Sequence, residues 1–104
     1  LDTSKGRPGK GISIWLQMPV GGNWQTIAQG ITNADGRIGD LLPPQKNLIP
    51  GNYKLIFDAD GYFAAQKIKG FYPEVEIQFT ITDDTHYHVP LLINPYGYST
   101  YRGS

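Results

Sequence analysis

Apolar residues at every second position dominate this chain, and no other feature limits its possible folds as strongly. The alternation runs through residues 12–17, 53–58 and 75–82. In the last of these runs the apolar positions are Val75, Ile77, Phe79 and Ile81. A period of two is typical of strands that bury one face. The sequence therefore predicts a protein built of strands, each of which turns one face towards a core.

Glycine, proline and asparagine interrupt these runs at short intervals and favour turns between them. The interruptions fall at residues 21–23, 33–36, 43–44, 50–51 and 94–95. Further strands are predicted at residues 24–30, 86–93 and 98–102. Short strands at regular spacing indicate an all-β sandwich.

Residues 60–69 break the alternation. They combine helix-forming residues with an acidic start and a basic end, an order that suits the helix dipole. We predict one short helix of about two turns within this range.

Length and composition exclude several classes of protein. The 104 residues predict a single domain spanning 1–104. A formal net charge of +0 leaves no basic excess for nucleic acid or an anionic membrane, and no apolar run is long enough to span a bilayer. The absence of cysteine excludes disulfides, thiolate zinc sites and a cysteine nucleophile. The start at Leu1, without an initiator methionine, suggests a trimmed or processed product.

The end of the chain is strand-like but rich in groups that can bind or catalyse. Alternation across residues 86–93 predicts that the odd-numbered positions face the core. The outward set is then His86, His88, Pro90 and Leu92. An antiparallel final strand would add Ser99 and Tyr101 to the same outward face. That surface is too apolar for a solvated exterior and too polar for a core, and it fits a subunit interface that encloses a polar cavity.

The two histidines admit other interpretations. A histidine on a strand is usually a surface residue or a hydrogen-bonded one. Histidines two positions apart on one face could also bind zinc, but the chain offers no third histidine and no cysteine. We predict no metal site.

Residues 33–37 form a predicted turn in which Gly36 supplies a positive φ. Arg37, just past this turn, is either solvated or clamps a planar, electron-rich ligand through its guanidinium group. Residue chemistry alone thus predicts a β-sandwich with a possible site of histidine, tyrosine and arginine.

Several motifs carry a family resemblance. They are Leu1-Asp2-Thr3 with Gly6-Arg7-Pro8, the middle segment 32–37, and the closing segments 86–92 and 95–104, which end in Tyr101-Arg102-Gly103-Ser104. Over essentially the whole chain they resemble the transthyretin-like 5-hydroxyisourate hydrolases. The resemblance implies a prealbumin-like sandwich of two four-stranded sheets with one short helix. It also implies a homotetramer, a dimer of dimers, with active sites in a channel between the dimers.

The resemblance also implies an activity. The reaction is hydrolysis of 5-hydroxyisourate, the product of urate oxidation, to 2-oxo-4-hydroxy-4-carboxy-5-ureidoimidazoline in purine metabolism. The implied catalytic residues are His88, Arg37 and Tyr101. Substrate binding is implied for Arg37, Tyr101, Ser104, Ser99 and His86, with no metal or organic cofactor. We expect His88 to activate water, Arg37 to hold carbonyl groups and Tyr101 to position the ring.

The resemblance leaves part of the site, the activity and the location open. The family's enzymes carry a catalytic histidine shortly before the Leu-Asp-Thr motif, and we expect it to precede Leu1 in a longer chain. The alternative is a protein that lacks this group and is inactive. A small-molecule carrier that uses the same channel, as transthyretin does, is the alternative function. We expect a cytoplasmic location, with peroxisome and periplasm as alternatives, since residues 102–104 are not the Ser-Lys-Leu address.

Overall fold

A computed structural model of the chain describes residues 1–38, 49–82 and 88–103. These residues form six strands and one helix, numbered here in chain order. They are β1 (Ser13–Val20), β2 (Asn23–Ile31), β3 (Gly51–Phe57), α1 (Ala59–Ala64), β4 (Val75–Ile81), β5 (Leu91–Asn94) and β6 (Gly97–Thr100). No helix within the described segments has the length and apolar character needed to cross a membrane.

The first layer is a four-stranded sheet in the order β2-β1-β3-β4, with every neighbouring pair antiparallel. A two-residue turn at Gly21 and Gly22 joins β1 to β2, so that Val20 faces Asn23. These glycines have φ values of 59° and 85°. The tightest hairpin turns need two such positive φ values, which glycine adopts without the steric cost of a Cβ.

The second layer contains the hairpin of β5 and β6, in which Leu91 faces Thr100 and Asn94 faces Gly97. The N-terminal segment lies on the other side of β5 and runs parallel to it. Thr3 N donates to Ile93 O at 2.8 Å, and Ile93 N donates to Leu1 O at 3.0 Å. The first of the two predicted four-stranded sheets therefore has all four strands. Of the second sheet, the described residues form three segments: the N-terminal segment, β5 and β6.

The core lies between the two layers and is built from the inward faces of β1, β3, β4 and β5 together with helix α1. Fourteen apolar or aromatic residues are buried there, including Leu16 on β1, Leu55 on β3, Val75 on β4 and Ile93 on β5. The predicted alternation is confirmed in β4, where Val75, Ile77 and Ile81 are buried and their neighbours in sequence are exposed or half-buried. Removal of this apolar surface from water is the main term that stabilises a sandwich of this size.

The short helix predicted within residues 60–69 is confirmed as α1, which begins one residue before that range and ends at Ala64. Asp58 caps its start, because Asp58 Oδ1 accepts from Gly61 N at 2.9 Å. Its end is set by Lys67, which has a φ of 58°. Ile68 N then donates to Phe63 O at 3.0 Å and Lys67 N to Ala64 O at 2.9 Å. This pair of bonds is the Schellman ending, which satisfies the last carbonyl groups of a helix.

The strand predicted over residues 86–93 is interrupted in its described part, residues 88–93. A continuous ladder begins only at Leu91, and His88 pairs with Gly103 as an isolated bridge. Pro90 lies between these two points, and proline has no N–H to donate to a ladder. Residues 86 and 87 lie outside the described part of the chain.

A buried carboxylate ties the N-terminal segment to helix α1. Asp2 has no exposed surface, and its Oδ1 accepts from Ser4 N at 3.0 Å and from Ser4 Oγ at 2.5 Å. The Tyr62 hydroxyl donates to Asp2 Oδ2 at 2.6 Å. Burial alone raises the pKa of the Asp2 carboxyl, but the hydrogen bonds from Ser4, Tyr62 and the Lys5 backbone outweigh it and lower the pKa.

We expect Tyr62→Phe to lower the free energy of unfolding by about 1.5–3 kcal/mol, because one oxygen of a buried carboxylate loses its donor. Tyr53→Phe is the matched control, since Tyr53 is also buried but donates to a neutral carbonyl, Ile49 O, at 2.7 Å. The free energy of unfolding should fall by only about 1 kcal/mol in Tyr53→Phe, which is the mean for an uncharged hydrogen bond. Urea denaturation at neutral pH measures both values. Equal losses in the two variants would contradict the charged role of the Asp2 bond.

The same variant should change the pH dependence of stability. Burial and the hydrogen bond to Asp2 raise the pKa of Tyr62 from 10.0 to about 12. Because the folded state holds this proton more tightly than the unfolded chain, the contribution is complete below pH 10 and is lost as the pH rises towards 12. Stability across that range should therefore fall more steeply in the unmodified protein than in Tyr62→Phe.

Candidate active site on the outward face of β5 and β6

Three of the side chains predicted to act together, those of His88, Ser99 and Tyr101, lie on the outward face of the second layer. The hairpin register pairs Leu92 with Ser99, and the bridge pairs His88 with Gly103 in the same register. Because Leu91 and Ile93 are buried, the alternate positions face away from the core. His88, Ser99 and Tyr101 are all exposed, and Tyr101 keeps 59 % of its surface accessible. The predicted shared face is present in the fold.

The C-terminal tail holds His88 in place. Gly103 N donates to His88 O at 2.8 Å, and Gly103 itself is buried. A Cβ added to Gly103 would lie 2.9 Å from His88 Cγ and nearer still to Nδ1. The imidazole ring therefore rests directly on the Gly103 backbone, and a side chain at position 103 would displace it.

A second bond keeps the tail beside the strand where the ladder is broken. Thr100 Oγ1 donates to Pro90 O at 2.6 Å. This bond gives the Pro90 carbonyl a partner within the stretch where no ladder forms. Tyr101 follows directly, so its backbone is fixed on one side by Thr100 and on the other by the His88–Gly103 bridge.

Arg37 is presented by the tight turn that the sequence predicted. Asn33 Oδ1 accepts from Asp35 N at 2.9 Å and from Arg37 N at 3.1 Å, and Gly36 has a φ of 73°. The Arg37 side chain is exposed. It makes no hydrogen bond or ion pair with any residue of the described segments, His88 included. Within one chain, Arg37 and His88 are therefore both exposed but do not bond to each other.

Two of the predicted site residues, His86 and Ser104, lie outside the described part of the chain. Within the part that is described, no group of three histidine, cysteine, aspartate or glutamate side chains is arranged to hold a metal ion.

The contact between Gly103 and His88 is a site feature that the sequence analysis missed. The signal was available in the turn at residues 94–97. Counting outwards from Asn94 opposite Gly97 brings position 88 opposite position 103. That count would have shown that the glycine of the closing motif lies under the imidazole.

The comparisons with known proteins give the family. The family model described as the HIUase/Transthyretin family matches residues 1–103. The chain belongs to this family. It is 44 % identical over 108 residues to the 5-hydroxyisourate hydrolase of Mus musculus, covering 100 % of this chain and 90 % of the mouse protein. The family predicted from the sequence is confirmed.

Two solved structures show the same fold. The 5-hydroxyisourate hydrolase of Klebsiella pneumoniae has a TM-score of 0.83 at 38 % identity, covering 100 % of this chain and 87 % of that chain. Sea bream transthyretin in complex with thyroxine has a TM-score of 0.89 at 30 % identity, covering 99 % of this chain and 89 % of that chain. The predicted all-β, transthyretin-like sandwich with one short helix is confirmed.

We expect Gly103→Ala to displace the His88 imidazole and to destabilise the protein by about 1–3 kcal/mol, the usual cost of forcing a methyl group into a packed contact. Gly97→Ala is the matched control in the same hairpin, because a Cβ there would meet its nearest neighbour, Asn94 Nδ2, at an ordinary 3.7 Å. The His88 ring resonances in an NMR spectrum and the midpoint of denaturation measure the two effects. Unchanged ring resonances in Gly103→Ala would contradict the contact.

Proposed function

We propose that this chain is a 5-hydroxyisourate hydrolase, which opens the six-membered ring of its substrate by hydrolysis of a ring amide. The observation that carries the proposal is the exposed imidazole of His88, seated on Gly103 beside Ser99 and Tyr101. Relatives that carry this activity in their names are 43–44 % identical to the chain over its whole length. The structural match to the Klebsiella pneumoniae enzyme supports the same assignment.

The proposed reaction needs a base, because neutral water attacks an amide carbonyl slowly. An imidazole is the side chain whose proton exchange is best suited to neutral pH. His88 takes a proton from the attacking water as the water oxygen bonds to the carbonyl carbon. The carbon–nitrogen bond of the ring then breaks, the nitrogen leaves with a proton, and the carbonyl carbon becomes a carboxylate.

Arg37 and Tyr101 bind the substrate and the charge that develops on it. A guanidinium group can hold two oxygen atoms of a planar ring at once, and it stabilises negative charge on the attacked carbonyl. The Tyr101 hydroxyl can donate to a carbonyl oxygen and position the ring. Ser99, His86 and Ser104 complete the proposed substrate contacts.

The pairing of the N-terminal segment with β5 indicates where the expected second histidine would lie. This segment runs parallel to β5, with Leu1 N donating to Leu91 O at 2.8 Å. Followed backwards from Leu1, the parallel pairing leads towards Pro90 and His88. A histidine shortly before Leu1 would therefore approach the imidazole of His88, and the two groups would share the work of activating water.

We further propose that four copies assemble as a dimer of dimers, with the His88 faces meeting across a channel. Two features of one chain support this. Tyr101 is left 59 % exposed, so the proposed site is open to water until another copy covers it. In addition, an exposed aromatic edge, defined as Phe71, Tyr72, Tyr96 and Tyr98, borders β6. Tyr72 contacts Phe71 and Tyr98 edge to face, with ring centroids 5.0 Å and 5.2 Å apart. Exposed apolar patches of this kind are typical of subunit interfaces.

The alternative function is a carrier that binds a small molecule in the same channel without reaction. The sea bream transthyretin structure holds thyroxine. A carrier of this fold needs no imidazole beside a guanidinium group, whereas the proposed site has both. Decay of the ultraviolet absorbance of freshly made urate oxidase product, with and without this protein, distinguishes the two. A cytoplasmic location remains a prediction.

We expect His88→Ala and Arg37→Ala each to lower kcat by about 100-fold or more, because His88 accepts the proton of the attacking water and Arg37 stabilises the charge that develops on the attacked carbonyl. The measurement is the same absorbance decay at saturating substrate. Lys69→Ala is the control, since it removes an exposed cation that is not one of the proposed site residues. Wild-type turnover in purified, folded His88→Ala protein would rule out the assigned base.

We expect light scattering to give a solution mass four times the chain mass of 11.5 kDa. Phe71→Lys should shift the protein towards smaller species, because a charge would be buried in an apolar interface. Ile31→Lys is the matched control, since Ile31 is 64 % exposed but lies on β2, away from the aromatic edge. A single-chain mass at working concentration would contradict the assembly.

A further inference from the structure

A basic cleft of about 320 Å³ lies between the N-terminal turn and helix α1. Lys5, Arg7 and Lys10 line it from the turn, and Tyr62 and Gln66 line it from the helix and the residues after it. None of the residues that line it belongs to the proposed active site. The cleft therefore needs an explanation of its own.

The cleft is strongly positive, although the chain as a whole carries no formal net charge. Three of the nine lysine and arginine residues of a chain with a formal net charge of +0 line it, and no carboxylate does. None of the three cations forms an ion pair with a residue of the described segments. Cations held near one another repel, and a bound anion would offset that repulsion.

The nearest carboxylate does not serve as this anion. Asp2 lies behind Tyr62, has no exposed surface, and accepts hydrogen bonds at both oxygens from Ser4 and Tyr62. It lowers the positive charge around the cleft from three to two. A ligand in the cleft would meet the cations and not the carboxylate oxygens.

The backbone that carries the cations is held at several points. Asp2 N donates to Arg7 O at 2.8 Å. The buried Thr32 hydroxyl donates to Gly9 O at 2.6 Å, and Gly11 N donates to Thr32 O at 3.0 Å. A ligand would therefore have to order the three charged side chains but not the backbone that carries them.

We propose that this cleft binds a small molecule bearing a phosphate group. A phosphate monoester carries about 1.5 to 2 negative charges at neutral pH, which matches the charge of the cleft, whereas a single carboxylate does not. Guanidinium and ammonium groups both form strong hydrogen bonds with phosphate oxygens. The volume is at the lower end for small-molecule pockets, so the ligand has room for a small organic part packed against Tyr62.

Inorganic pyrophosphate is the probe, and isothermal titration calorimetry of the whole protein is the measurement. We expect saturable binding with a Kd below about 1 mM at low salt, and an affinity that falls as sodium chloride rises from about 50 to about 200 mM. Acetate at the same ionic strength should bind at least about tenfold more weakly, since it carries half the charge of the cleft or less. Equal binding of acetate would overturn the assignment to phosphate.

Two double variants locate the binding. Lys5→Gln with Lys10→Gln should weaken pyrophosphate binding at least about tenfold. Lys67→Gln with Lys69→Gln removes the same charge from exposed positions that do not line the cleft, and binding should be unchanged. Thermal denaturation checks that both variants fold. In NMR spectra, pyrophosphate should shift the amides of residues 5–11 and 62–66. Equal weakening in both variants, or shifts spread over the surface, would show non-specific ion association and overturn the proposal.

Discussion

Burial of one face of strands β1, β3, β4 and β5 is the constraint on which the rest of this molecule depends. Residues such as Leu16, Leu55 and Val75 point inwards from the first sheet, and Leu91 and Ile93 of the second sheet belong to the same core. Because the period is two, every inward position fixes the direction of its neighbours. Ser99 and Tyr101 are outward for that reason, and so is His88 beyond the break at Pro90. The proposed chemistry occupies the face that the core leaves free.

A few buried polar groups fix the segments that the sheets alone would leave loose. Asp2 joins the N-terminal segment to helix α1 through Tyr62. Thr32 joins the turn after that segment to the end of β2, since its hydroxyl accepts from Ile12 N at 2.9 Å and donates to Gly9 O at 2.6 Å. Each group has partners for its buried oxygens, so the low local dielectric strengthens these bonds instead of penalising the groups. Both the proposed active site and the basic cleft rest on segments held in this way.

The fold was largely predictable from the sequence, and the site only in part. The alternation in residues 75–82 correctly predicted a strand and its buried face. Side chains of a strand point alternately to its two faces, so a strand with one buried face has apolar residues at every second position. The end of α1 was not predictable from helix propensity, because Lys67 adopts a positive φ that lysine rarely takes. The break at Pro90 follows from a missing N–H and was available from the sequence. The contact of His88 with Gly103 follows only from the register of the closing hairpin. No pattern in the sequence relates Arg37 to His88, and the fold of one chain does not bring them into contact.

The fit between the His88 ring and Gly103 has a consequence for how such a fold can diverge. A side chain at residue 103 would displace the His88 imidazole without altering any residue of the proposed site. If the proposed function holds, a single methyl group at this position would separate a hydrolase from a protein of the same fold that binds without reaction.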